Sequence, residues 1–577
     1  MHDDNAPGAP GWVIQEHESV MRSMERLAQA KNRADYRARE DLKHGRITAD
    51  EYDDVLAKGV PTGTADQGNY TIRDLAPVAV NTQWTESSPF ELTLYKGLPD
   101  EAAALVAHEW TSDLTYYQDG FNGHVGEFQR GVTVRGTQAQ DTIYSKMMAI
   151  EAATSYIAGQ ETALIESMGT KDPTERERRR AQLAMMYLQN INMFRMRSDV
   201  HRQGAVSGTN IRGIEQQIEE GTQGANVTQF SSDFGGSHVI DFLGGEPSFN
   251  NVRAAELATI MLFQGASAGF MAPDIKAGFA KSLDGAVRLN GDLQRVRWGK
   301  NIDSVNVGIG GMGSEIHFIT ENALSPIYYQ KKYTTNRPNG YPSTLPVVES
   351  DSGAQTDGAT FNSTVDTVTS LFDSNPEGFG EVYYVITYVK NGVESLGVRY
   401  PSSGTDTVTV SQEYAFRVSA PTDADTIRVY RGQTDATNTA MTDAWHIFDV
   451  AASATGQTIF FDNNEFRPNT SRAFFFPFEG PLMNAIQTEG SADAAMQMLT
   501  RTGGKSLGSN RGGRGNNGVR CVRLGPKLAM IEMAKLHYLT ANPAAYISIY
   551  TPLVPDPRKC FVFKNIRSSV VPSAARP

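Results

Sequence analysis

The sequence predicts an α+β protein carrying an inserted all-β sandwich, and three observations lead there. Between about residues 345 and 470 the chain breaks into short β-rich runs at regular spacing: "EVYYVITYVKNGVESLGVRY", "DTVTVS", "YAFRVSAP", "DTIRVYRG", "AWHIFDV" and "QTIFFDN". Asn-Gly, Ser-Gly and Asp-Ala-Asp turns divide them, which is the rhythm of a sandwich of immunoglobulin or fibronectin type, here without a Cys-Trp-Cys signature. On both sides of this segment helices alternate with isolated strands and Gly-rich loops, so host and insert differ in style. With 577 residues, 40% of them hydrophobic, the chain is long enough for two to four domains and a large core.

The elements follow in order. Residues 12 to about 58 are charged, Ala-rich and helical; Val20, Met24 and Leu27 share one face. Gly45 ends the first helix, and Thr48 to Glu51 forms a capping box that opens a second. So narrow a stripe builds no core of its own, which predicts an arm that docks elsewhere. Residues 70 to 97 read as extended and mixed. Beyond them, period-two stretches such as "GVTVRGT", with Gly123, Gly126 and Gly131 nearby, predict a long two-stranded excursion that needs outside support.

Residues 147 to about 200 read as strongly helical, interrupted at Lys171-Asp-Pro-Thr-Glu, where Asp172 caps a helix begun by Pro173. Its run "TERERRRAQ" pairs opposite charges at i,i+4 spacing and reads as a solvated face. Another helix is expected from about Glu256 to Phe270, and the Pro-started helix "APDIKAGFAKSLD" after it. "DSVNVGIGGMGSEIHFITE" reads as two strands joined by a tight turn. Within the sandwich, Tyr384, Ile386 and Tyr388 alternate with Val385, Thr387 and Val389, apolar on nearly both faces as a central strand is. Past residue 470 the host style resumes with "FFFPFEGPLMNAIQ", a helix near Asp493 to Leu499, and the Gly-rich stretch "RTGGKSLGSNRGGRGNNGVR".

Motifs for chemistry fail one by one. Gly504-Lys505-Ser506 ends like a phosphate loop, but that loop needs glycine at position 499, which is Leu499. His108-Glu109 begins like a zinc-protease helix, but the second histidine would fall on Ser112. No Gly-x-Ser-x-Gly elbow is present, and Cys521 and Cys560 form neither a disulfide framework nor a zinc site. The expectation is therefore no catalytic residue, no metal, no cofactor and no enzyme activity. The net charge of −12, from 53 basic and 65 acidic residues, argues against a protein whose main task is gripping nucleic acid. No apolar run is long enough to span a membrane, and the acidic, Pro/Gly-rich N-terminus does not read as a secretory signal.

The order of parts resembles the major capsid protein of tailed bacteriophages, the Hong Kong 97-type fold shared with encapsulins. The stretches that carry the resemblance are "HEWTSDLTYYQDGFNGHVGEFQRGVTVRGT", "GGSHVIDFLGGEPSFNNVRAAELATIMLFQ", "FMAPDIKAGFAKSLD" and "VNVGIGGMGSEIHFIT". They look like the E-loop, the entry to the axial domain, its helix pair and its central hairpin. The resemblance implies a charged helical N-terminal arm over 1–69, E-loop and peripheral domain with spine helix over 70–255, and a first axial part over 256–344. It further implies an inserted immunoglobulin-like sandwich over 345–470, a second axial part over 471–545, and a C-terminal return to the peripheral domain over 546–577. Immunoglobulin-like insertions are familiar in such shells.

What the resemblance implies for function is a head protein that self-assembles into hexamers and pentamers of an icosahedral shell around double-stranded DNA. Its localisation would be the virion capsid, assembled in the cytoplasm of a bacterial host. Its partners would be its own copies, portal, scaffold, a decoration or cement protein, and non-specifically the packaged DNA. Interface candidates are Met21, Met24 and Leu27 of the arm and Tyr117, Phe121, Phe128 and Arg130 at the ribbon tip. Gly503, Gly504, Lys505, Arg511, Arg514 and Gly518 would form an adaptable axial loop that takes different conformations in fivefold and sixfold rings. Some relatives cross-link subunits through an E-loop lysine; from Gly97 to Ser145 this chain has none, so no such bond is expected. The chain begins at Met1, and the arm is expected to be kept. Two other readings are an encapsulin-like compartment, and an adhesin or carbohydrate-binding protein whose sandwich alone binds ligand.

Overall fold

The computed structural model describes residues 92–115, 137–155, 173–198, 210–223, 238–260, 265–287, 304–306, 518–532, 541–567 and, with short breaks, 315–478. The chain divides into two compact units: Met1–Thr85, Ala149–Met185 and Ala529–Ile547 form one, and Glu86–Met148, Met186–Leu528 and Ser548–Pro577 the other.

In the first unit the strand Ala529–Glu532 pairs antiparallel with the start of Ala541–Leu553, in register from Ala529 opposite Ile547 to Glu532 opposite Ala544. Residues 147–155, expected to be helical, instead form a strand, Lys146–Ser155, paired with Ala541–Leu553. Side-chain exposure alternates along Met147, Met148, Ala149 and Ile150, the period-two signature of a strand. Backbone hydrogen bonding to a strand some four hundred residues away outweighs the helix propensity of Met and Ala. The helix opened by Pro173 is present as expected and runs to Arg195. Arg179 and Arg180 of the charged run are exposed, as a solvated face requires.

The second unit is organised by a six-stranded mixed sheet. Its order is Val239–Asp241, Phe561–Ile566, Ser471–Phe476, Ala268–Met271, Glu315–Thr320 and Ser304–Asn306. Three consecutive phenylalanines, Phe474 to Phe476, lie in its middle, and all are fully buried because both faces are covered. On one face Phe474 packs 5.0 Å from Phe194 of the long helix, and Phe476 stacks 5.0 Å from Phe270. On the other, Phe475 meets Phe561 at 4.5 Å and Phe318, which is stacked in turn by Phe279 of the helix Pro273–Val287. At Gly269 a Cβ would come within 2.7 Å of the Phe475 ring, so only glycine admits this approach.

This sheet amends one expectation and fits another. The helix placed at about Glu256 to Phe270 runs from Phe249 to Ile260, and Phe270 lies in the strand Ala268–Met271. Phe270 is held there by pairing with Phe474 and Ile319 on its two sides, a choice that lies outside the local sequence. Ser304–Asn306 and Glu315–Thr320 do pair antiparallel, with Val305 opposite Ile316. A second amendment concerns residues 70–97: Thr93–Gly97 is a short helical turn. Asn190 Oδ1 accepts from the Leu94 and Tyr95 amides at 3.0 and 3.1 Å and supplies the cap that the local sequence lacks.

The β-rich segment forms two facing sheets. One centres on Glu381–Lys390, hydrogen-bonded to Thr426–Gln433 and through it to Trp445–Ala451. The other joins Gly353–Thr356, Gln412–Ser419 and Gln457–Asp462. Tyr384, Ile386, Tyr414, Phe416, Val429 and Phe460, drawn from both sheets, share one core. Val385 and Tyr383 point the other way into a smaller cluster with Tyr333 and Tyr430, so the central strand is buried on both faces. Among the described residues no helix is long and apolar enough to cross a membrane.

Candidate subunit interface

The two-stranded excursion is present: Ala107–Thr115 pairs antiparallel with Thr137–Tyr144, from Ala107 opposite Tyr144 to Thr115 opposite Thr137. Strand periodicity sends alternate side chains to opposite faces. His108, Trp110, Asp141 and Ile143 share the face turned to the body; Ala107, Glu109, Thr142 and Tyr144 share the other.

The inward face is anchored at several points. Ile143 is fully buried with Val522 and Leu553, and Trp110 packs against that cluster. The Trp110 indole N–H donates to the Pro555 carbonyl at 3.2 Å. Arg212 reaches Asp141 at 3.4 Å and Glu220 at 2.5 Å, linking the ribbon to the helix Ile214–Gln223. That helix sits tight on the body, since a Cβ at Gly221 would fall 2.4 Å from the Pro557 ring. Just before the ribbon, Asp100 and Glu101 pair with Arg523 and Arg520 at 2.5 and 2.6 Å.

Upstream, Thr93 donates from its backbone N–H at 2.9 Å and from its hydroxyl to Glu321. Asn190 donates to the same carboxylate at 3.1 Å. Burial pushes the Glu321 carboxyl above its ordinary value, and these donors pull it partly back. The strand Glu315–Thr320, the long helix and the start of the ribbon are thereby tied at one buried point.

The outward side is different. Leu105 is 72% exposed, Val106 49%, Tyr144 53% and Met147 64%. Ser145 donates its amide to the Val106 carbonyl at 2.8 Å, which brings the chain at Leu105–Val106 beside the chain at Tyr144–Met147 at the ribbon root. Scattered exposed apolar residues are ordinary, but four together on a rooted ribbon form a patch of the kind that partners cover. Lys146 lies 5.7 Å from the Tyr144 ring centroid and adds a cation at its edge.

Of the residues expected to act, Met21, Met24, Leu27, Tyr117, Phe121, Phe128, Arg130, Gly503, Gly504, Lys505, Arg511 and Arg514 lie outside the described residues, as does Asp172. Gly518 is described and buried. Beside it the Val519 amide donates to the Pro477 carbonyl at 3.0 Å, and the Phe478 amide donates to the Ser267 hydroxyl at 2.8 Å, so the described chain at 477–478 and at 518–519 lies together. Leu105, Val106, Tyr144 and Met147 escaped sequence reasoning. A signal was available: Ile143 and Tyr144 are adjacent apolar residues in a strand, so one of them had to face outward. Cys521 and Cys560 are free and buried, and burial pushes the Cys521 thiol up to about 11. Among the described residues no group of three His, Cys, Asp or Glu could hold a metal ion.

No family model and no curated protein matches the sequence. Solved structures similar to it include the capsid of the cyanophage P-SCSP1u, 8% identical over 89% of this chain and 98% of that one, with a TM-score of 0.38. The holo-SrpI encapsulin complex from Synechococcus elongatus PCC 7942 is 7% identical over 85% and 93%, with a TM-score of 0.34. The capsid of a native GTA particle is 9% identical over 87% and 99%, with a TM-score of 0.33. Over most of its length the chain is thus similar to two capsids and an encapsulin.

Proposed function

We propose that this chain is a shell-forming major capsid protein of Hong Kong 97 type, building hexamers and pentamers of an icosahedral particle around double-stranded DNA. The observation that carries the reading is the ribbon: two strands with a body-anchored inner face and an apolar outer root. A two-stranded ribbon has no core of its own, and its outer side gains most by lying against another copy. The unpaired lengths of such a ribbon are also safest when a neighbour covers them.

In this reading the segment 345–470 is an immunoglobulin-like insert. Its support is that Glu315–Thr320 and Ser471–Phe476, on either side of it in sequence, belong to one sheet in which Ala268–Met271 lies between them. The arm around Met24 and the ribbon tip around Phe121 would make further contacts between copies, and the loop around Gly504 would adapt to fivefold and sixfold rings. The acidic balance suits a wall that must not trap the DNA it encloses. Portal, scaffold and decoration proteins would be the other partners, and the protein would be a structural component of the virion without catalytic activity.

Negative-stain microscopy of the expressed protein tests this. Closed shells, or rings of six and five, are the expected result; a monodisperse monomer under every assembly condition would overturn it. Shells that protect a protein cargo and contain no DNA after expression in a phage-infected host would favour an encapsulin-like compartment instead.

A further inference from the structure

The path of the chain between the sandwich and the six-stranded sheet carries an inference that does not depend on shell formation. An insert joined by ordinary linkers leaves through exposed, loosely held segments. Here Gln457–Asp462 is the last strand of the sandwich and Ser471–Phe476 the next of the sheet, and of the eight residues between them six are buried and two half-buried.

Hydrogen bonds hold most of that passage. The Asn464 amide donates to Asp462 Oδ1 at 2.9 Å, and the Glu465 amide to Asn463 Oδ1 at 3.2 Å. The Arg467 amide donates to Asn565 Oδ1 at 3.2 Å. Asn565 stands on the sheet strand Phe561–Ile566 and donates to Asp241 at 2.9 Å and to the Glu465 carbonyl at 2.8 Å. The Arg467 guanidinium, 1% exposed, donates to the Leu243 carbonyl on the sheet side at 2.5 Å and to the Leu371 carbonyl on the sandwich side at 3.4 Å. Asn464 also donates to the Leu371 carbonyl at 3.1 Å and accepts from Arg431 at 2.6 Å, which continues the network to the buried Arg431–Asp462 pair.

The entering chain is stitched to the leaving one. Gln330 Nε2 donates to the Arg467 carbonyl at 2.5 Å, while its Oε1 accepts from the Thr470 amide at 3.0 Å. Immediately afterwards the chain is already part of the sandwich: the His446 amide donates to the Lys331 carbonyl at 3.0 Å and the Tyr333 amide to the Ala444 carbonyl at 2.8 Å.

We infer that Gln330, Arg467 and Asn565 form a clamp that locks the sandwich to the six-stranded sheet in one fixed orientation, so that the insert is a rigid extension of its host and not a tethered bead. Every copy would then present the same sandwich surface, and any movement of the sheet would be passed to it. Buried polar groups are hydrogen-bonded across both crossings, an arrangement that is costly to open because each freed group would lose its partner.

Hydrogen–deuterium exchange on the full chain tests it. In the wild type the amides of Asn464, Glu465, Arg467 and Thr470 should be protected to a degree comparable with those of Ser471–Phe476. Gln330→Ala should raise exchange across residues 463–470 about tenfold or more, the loss of one or two net hydrogen bonds, while Tyr384 to Tyr388 and Ile427 to Tyr430 keep their protection. Wild-type exchange over 463–470 as fast as in exposed turns overturns the clamp, and so does a folded Gln330→Ala chain with unchanged exchange. Should that variant fail to fold, the wild-type measurement decides alone. Neither readout depends on assembly, so failure of the clamp and failure of the shell reading are distinguishable.

Discussion

Replacing Leu105 and Met147 together by serine puts the ribbon-root patch to a quantitative test. Fully burying a Leu or Met side chain is worth about 2 kcal/mol. Leu105 is 72% exposed and Met147 64%, so covering them against another copy would contribute about 1.4 and about 1.3 kcal/mol. The double variant should therefore weaken each contact by about 3 kcal/mol, or about a hundredfold in the protein concentration at which assembly begins. Its monomer should be nearly unaffected, because both side chains already stand in water and surface changes of this kind stay within about 0.5 kcal/mol. Sedimentation velocity over a concentration series reads the first effect and thermal unfolding the second. Leu188, 38% exposed on the long helix, supplies the control as Leu188→Ser. Assembly of the double variant at the wild-type concentration, or an equal loss in the control, would refute the patch as a subunit contact.

Two further predictions concern the sandwich. Burial pushes the Glu413 carboxyl up to about 7, helped by Asp366 and Asp357 and opposed by Gln355. A carboxyl held above its ordinary value adds stability that is complete below about pH 4.5 and is lost as the pH rises through about 7, so Glu413→Gln should flatten the fall in melting temperature between pH 5 and 8, removing about 2 to 3 kcal/mol of pH dependence; a wild type whose stability does not fall over that window contradicts it. Arg431 and Asp462 pair at 2.6 Å with no exposure of the arginine, so Asp462→Leu alone should cost about 3 to 5 kcal/mol in urea unfolding, and adding Arg431→Met should recover at least 1 kcal/mol of that by removing the stranded charge. Additive losses in the double variant would show that the pair is not coupled.

The sandwich strands were legible because their causes are local: alternating apolar and β-branched residues fix which side chains share a face. The same holds for the helix Pro273–Val287, started by its proline, and for the pairing of Ser304–Asn306 with Glu315–Thr320. For the candidate interface, the period-two stretches pointed to a ribbon in need of support but not to the residues that crown its root. Exposure is a property of the folded surface, and Ile143 and Tyr144 differ only in what lies opposite each face.

Where the deciding partner was distant, local pattern failed. Lys146–Ser155 became a strand because Ala541–Leu553 runs beside it, and Phe270 joined a sheet whose other members are drawn from residues 239 to 566. Thr93–Gly97 turned because Asn190 caps it from another helix. The junction at Gln330, Arg467 and Asn565 joins three stretches with no mark in common, since a side chain bonded to backbone about a hundred residues away leaves no periodicity to read. By itself the sequence determined which segments would be strands of the β-rich region; how the six-stranded sheet is assembled, which apolar residues face water and how the β-rich region is joined to that sheet were decided by the tertiary structure, because each depends on what packs against a residue and not on what precedes it.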